Sequence, residues 1–61
     1  MPVVTVDWYE GRTPEQKKKV IEGITEVLTK VAGVPPEATW VVIRDLPKTN
    51  WGMGGKQSSG E

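Results

Sequence analysis

A chain of 61 residues with no cysteine and no histidine buries only about 60% of its unfolded surface, and without disulfides or a zinc site its remaining route to a complete core is association. The same absences remove Ser-His and Cys-His nucleophiles and any metal-ligating cluster of those residues, so no metal site is expected. Eight Lys plus Arg balance eight Asp plus Glu, which leaves no basic excess to neutralise phosphates and argues against reading the three tryptophans as a nucleic-acid surface.

Pro2 to Tyr9, PVVTVDWY, is rich in β-branched and aromatic residues. Val4, Val6 and Trp8 fall on one parity and Val3, Thr5, Asp7 and Tyr9 on the other, which predicts a strand with apolar residues on both faces. Glu10-Gly11-Arg12 interrupts the pattern. Thr13-Pro14-Glu15-Gln16 then predicts a helix start, with Thr13 as N-cap, Pro14 at the first helical position and Gln16 closing a capping box. Val20, Ile21, Ile24, Val27, Leu28 and Val31 recur as one helical stripe, and Glu15 with Lys19 and Glu26 with Lys30 stand at i,i+4 on the opposite side. Lys17 lies near the stripe in the first turn and is expected to snorkel. Gly33, followed by Val34-Pro35-Pro36, predicts a left-handed stop.

Thr39 to Leu46, TWVVIRDL, predicts a second strand. Strand, helix of about five turns and strand make an α/β chain built on one β-α-β unit, with two parallel strands and a right-handed crossover. The helix can cover only one sheet face. A two-stranded sheet with a bare apolar face is not stable alone, so an obligate oligomer is expected. Beyond Leu46 the sequence PKTNWGMGGKQSSGE is turn-rich. Asn50 to Lys56 predicts a small hairpin reaching a neighbouring subunit, and a mobile tail is expected from about residue 56 of a single domain spanning 1–61. No apolar run approaches the roughly 20 residues of a membrane span and no charged-then-apolar leader precedes the first strand, so a soluble, cytoplasmic protein with no membrane partner is expected.

The groups able to do chemistry are few: the amino terminus, Arg12, Arg44, Asp7, Glu10, Asp45 and Tyr9. If Met1 is removed, Pro2 becomes a secondary amine. An α-amino group titrates near pH 8, and apolar, cationic surroundings disfavour its charged form, bringing it toward the pH where a general base works best. Spacing alone favours the simpler reading that Pro2 begins an edge strand, where its missing N–H costs nothing. Arg12, beside the helix start, is suited to a carboxylate, or else pairs in solvent with Glu10 or Glu15. Gly52-Met53-Gly54-Gly55 has no helix after it and reads as a hairpin rather than a phosphate loop.

MPVVTVDWYEGRTPEQKKKVIEGITEVL, then TWVVIRDL, then NWGMGGK together resemble the 4-oxalocrotonate tautomerase family at essentially ungapped spacing. The resemblance implies a cofactor-free isomerase, assembled as dimers into a hexamer. In it Pro2 moves a proton between the hydroxyl of a dienol acid and a distal carbon of a small unsaturated 2-hydroxy or 2-oxo carboxylic acid. It further implies that Arg12 binds the substrate carboxylate and that Trp51 keeps the site apolar, with Tyr9 and Trp40 as further substrate-binding positions. One position departs: Trp40 stands where the family carries a second arginine. Trp40 followed by VIR also resembles the α-chain of heterohexameric trans-3-chloroacrylic acid dehalogenases. There, however, Met53 replaces the water-activating carboxylate and Tyr9 replaces an extra arginine. The alternative role implied is a partner or structural subunit of a heterohexameric tautomerase or dehalogenase-like enzyme. A third is a non-catalytic binder of aromatic acids, stacked by Trp40 and Trp51.

Overall fold

The computed structural model describes residues 1–58; the end of the expected tail, residues 59–61, lies outside the described residues. Strand β1 (Val3–Tyr9) leads through a short loop into helix α1 (Pro14–Ala32), and a 3₁₀ turn at Pro36–Ala38 returns the chain to β2 (Trp40–Leu46). A second 3₁₀ turn, Lys48–Asn50, precedes a hairpin of β3 (Gly52–Met53) and β4 (Lys56–Gln57). β1 and β2 pair in parallel, from Val3 opposite Trp40 to Tyr9 opposite Leu46, so the β-α-β expectation holds. Both strands begin one residue later than the sequence pattern suggests. Pro2 has no N–H to give to a ladder, and the N–H of Thr39 is committed to Pro36 O at 3.1 Å, closing the 3₁₀ turn. The hairpin expected within Asn50 to Lys56 forms, and Gln57 extends its second strand.

The helix is bounded as its local chemistry dictates. Thr13 Oγ1 accepts from Gln16 N at 3.1 Å while Thr13 N donates to Gln16 Oε1 at 3.0 Å, so two otherwise orphan donors are satisfied reciprocally. At the other end Gly33 takes φ +73°, a conformation that L side chains rarely adopt. Glu26 and Lys30 pair at 3.0 Å; Glu15 and Lys19 form no ion pair. Among the described residues no helix is long and apolar enough to cross a membrane.

The apolar residues of α1 face Val4, Val6, Val41 and Ile43, which share one side of the sheet. Even there burial is partial, since no described residue is fully enclosed. On the other side Val3, Trp40 and Val42 remain 56%, 53% and 43% exposed. The chain presents 4675 Å² to solvent, against about 3,900 Å² for a free-standing monomeric protein of 6.7 kDa. That excess accords with the absence of any fully enclosed described residue.

Polar links tie the strands at their carboxyl ends. Arg44 donates to Asp7 through Nε to Oδ1 at 2.6 Å and Nη2 to Oδ2 at 3.0 Å, a two-pronged pair on the open face. On the helix side Trp8 Nε1 donates to Asp45 Oδ1 at 2.8 Å, and Lys17 Nζ donates to Asp45 Oδ2. Lys17 therefore does not snorkel to water. In a β-α-β unit the helix runs back over the strands, so its first turn lies above the strand carboxyl ends, and there the Asp45 carboxylate meets it.

The hydrogen bonds from Arg44 hold Asp7 below the usual carboxylate range, and those from Lys17 and then Trp8 do the same for Asp45. A carboxylate depressed in the folded state adds stability above its unfolded pKa and loses that contribution as pH falls through the folded value. Stability in urea, measured at fixed protein concentration, is therefore expected to decline below about pH 4. Asp45→Asn should make the decline shallower; an equally steep curve would count against this origin.

Candidate active site

Pro2 is half-buried at the mouth of β1, and its carbonyl accepts from Trp40 N at 3.1 Å, which extends the ladder one residue beyond the strand. Met1 projects outward, 80% exposed. With Met1 attached the Pro2 nitrogen is a tertiary amide with no basic lone pair; its removal would place a secondary amine at the sheet rim. Trp40 begins β2 with its side chain on the open face, across from Val3. These two positions form one cluster, at the amino ends of the strands.

A second cluster lies at the carboxyl ends. The rings of Tyr9 and Trp51 meet edge to face, with centroids 4.8 Å apart and planes at 70°. Tyr9 Oη shares a short hydrogen bond with Ser58 Oγ, and Lys48 Nζ sits 5.5 Å from the tyrosine ring centre. The hairpin holds Trp51 in place: Ser58 N donates to Trp51 O at 2.9 Å, and Gln57 Nε2 to Thr49 O at 2.9 Å. Its turn uses Gly54 and Gly55 at φ +63° and +84°, the pair of left-handed residues that a two-residue hairpin loop requires.

Arg12 belongs to this end as well. Its guanidinium carbon lies 5.0 Å from the centre of the Trp8 ring, and among the described residues it forms no ion pair or hydrogen bond with a carboxylate. The pairing with Glu10 or Glu15 expected of a solvated loop arginine is not made. Arg44 differs sharply, because Asp7 occupies two of its donor positions. Of the two arginines, only Arg12 has its fork uncommitted among the described residues.

The two clusters are far apart. Seven residue steps separate Pro2 from Tyr9, about 23 Å at about 3.3 Å per residue, and the Arg12 guanidinium sits near that far end, over Trp8. The structure brings Pro2 to Trp40 and Tyr9 to Trp51, but no one chain brings Pro2 and Arg12 to the same small molecule. Sequence reading missed the Trp8-Asp45-Lys17 network and the Asp7-Arg44 pair, although a signal existed. Aligning the two seven-residue strands end to end puts Asp7 opposite Arg44 and Trp8 opposite Asp45. Among the described residues no group of three or more His, Cys, Asp or Glu could hold a metal ion.

Comparison with known proteins identifies the family. A family model described as "Tautomerase enzyme" matches residues 2–60. A probable tautomerase of Listeria monocytogenes is 41% identical over 59 residues, 97% of each chain. A 2-hydroxymuconate tautomerase of Comamonas testosteroni is 46% identical over 55 residues, 90% of this chain and 87% of that one. Among solved structures, a 4-oxalocrotonate tautomerase isozyme from Methylibium petroleiphilum superimposes with a TM-score of 0.87 at 43% identity, covering 95% of this chain and 94% of that chain. With a full-length match in sequence and the same parallel β-α-β unit and hairpin, the chain belongs to the 4-oxalocrotonate tautomerase family.

Proposed function

We propose that this tautomerase family member interconverts keto and enol forms of small unsaturated 2-hydroxy and 2-oxo carboxylic acids, with Pro2, freed of Met1, as general base. The observation that carries the reading is Arg12: a guanidinium held in place without a carboxylate partner is prepared for a substrate carboxylate. Pro2 nitrogen takes the proton of the 2-hydroxyl, the π electrons shift toward a distal carbon, and the Pro2 N–H returns the proton there. The product is the conjugated keto acid, and no cofactor is needed for the proton balance. Tyr9 and Trp51, stacked edge to face, would supply from a neighbouring copy an apolar wall that disfavours the charged amine, and Trp40 lies beside the base. The name of the Comamonas relative points to the same class of substrate.

Because Pro2 and Arg12 stand at opposite ends of β1, each site is shared between copies of the chain. Two uncovered surfaces support that assembly: the open sheet face around Val3, Trp40 and Val42, and an apolar groove along Val4, Val20, Ile24 and Leu28 beside the free edge of β1. A homohexamer, a trimer of dimers, covers both. A second reading has one observation in its favour. Trp40 occupies the position where the family resemblance calls for an arginine, and Arg44 is tied to Asp7. A partner chain in a mixed hexamer would then supply that charge.

Pro2→Ala is expected to abolish turnover of 2-hydroxymuconate and phenylenolpyruvate in steady-state assays of methionine-processed protein; retained turnover would overturn the assignment of the base. Arg12→Ala should lower kcat/KM by about 10- to 100-fold, the size of a lost hydrogen-bonded charge contact. Trp40→Arg restores a cation near developing oxyanion charge and should raise kcat on 2-hydroxymuconate, on the order of 10-fold. No gain, together with full activity only on mixing with a second chain, would favour the mixed hexamer.

A further inference from the structure

Arg12 rests over the Trp8 ring and, among the described residues, forms no ion pair or side-chain hydrogen bond. Trp8 lies on the helix-facing parity of β1, and its indole N–H is anchored to Asp45, its register partner on β2. Asp45 would be the natural competitor for Arg12, being an acidic group on the same side of the sheet. Its two oxygens are already engaged, Oδ1 by Trp8 and Oδ2 by Lys17 from the first turn of α1. The loop geometry completes the arrangement. Gly11 adopts φ +124° with open space around its missing side chain, which lets the chain double back so that Arg12 reaches the ring four residues earlier.

A cation over a ring face is held electrostatically and keeps all its N–H donors. An arginine held by a carboxylate, as Arg44 is by Asp7, would have to break that pair before binding a ligand. We propose that Trp8 is a positioning residue for Arg12: its indole, locked by Asp45 and Lys17, holds the guanidinium in place while leaving its fork open to a substrate carboxylate. This rests on the reading of Arg12 as the carboxylate-binding residue. It assigns Trp8, Asp45 and Lys17 a role in recognition although none of them touches the substrate.

The test compares wild type with Trp8→Met, which lacks a ring, and Trp8→Phe, which keeps a face but not the indole donor. Turnover of phenylenolpyruvate is measured beside that of its methyl ester, which has no carboxylate. Trp8→Met should raise KM for the acid about two- to five-fold, the size of an exposed cation–π contact, with kcat little changed and the ester unaffected. Trp8→Phe, which keeps a ring face but frees Asp45 Oδ1, should raise KM for the acid by less than Trp8→Met does. Equal losses on acid and ester, or Phe as poor as Met, would overturn the proposal in favour of a merely structural Trp8. A readout independent of turnover is the Arg12 Nε–H resonance. The ring should shift it upfield in wild type and in Trp8→Phe, and not in Trp8→Met. Absence of the shift in wild type overturns the proposal even if Trp8→Met fails to fold. Should wild type turn over neither compound, the tautomerase reading falls, while this resonance and its perturbation by phenylpyruvate still decide the role of Trp8.

Discussion

Parallel pairing of two strands of equal length is the constraint on which the rest of this molecule depends. Parallel strands need a crossover, and here the crossover is the whole of α1, which can lie on only one face. The pairing therefore leaves the other face bare and both sheet edges unpaired. It also sorts the functional positions by chain direction. Everything that precedes a strand, Pro2 and the first residue Trp40, collects at one end; everything that follows β1, from Tyr9 to Arg12, collects at the other. The reaction proposed above, which takes a base from one end and a cation from the other, would not be completed within one chain, so incomplete burial and a shared site would have one cause.

The polar contacts at the strand carboxyl ends follow from the same register. Residues 37 apart in sequence face one another across the pair, and the side-chain links from strand to strand, Arg44 to Asp7 and Trp8 to Asp45, both have that separation. One lies on each face of the sheet. The outer link neutralises an arginine and the inner one neutralises an aspartate with help from α1. Neither is shielded from water, so each contributes little to stability by itself. Their effect is to settle which charges stay available, and Arg12 stays available.

Much of the fold was legible in the sequence because its punctuation is local. Thr13, Pro14 and Gln16 specify the start of α1 through their own hydrogen-bonding chemistry, and Gly33 specifies its end through backbone freedom. The hairpin was legible for the same reason, in Gly54 and Gly55. What was not legible depended on the pairing of distant segments. Lys17 looks like a snorkelling residue until β2 places Asp45 under it, and Arg12 looks like a partner for Glu10 or Glu15 until Trp8 is seen to lie beneath it. The positions of Pro2 and Arg12 were both picked out from the sequence. Their separation was not, because it follows from the strand lying between them.

The capping box at the head of α1 has a consequence for how a ligand is read. Helix amino ends are ready-made cradles for anions because their first amides point outward without partners. Here Pro14 has no amide hydrogen, and Thr13 and Gln16 direct theirs to each other's side chains, while Glu15 adds a negative charge in the first turn. The backbone at that end is largely closed to an incoming acid. On the proposed function, recognition then rests with the Arg12 side chain on its three-carbon stem, which can follow a carboxylate through several positions but needs it to be charged. A site of that kind would sort its ligands by ionisation more than by outline.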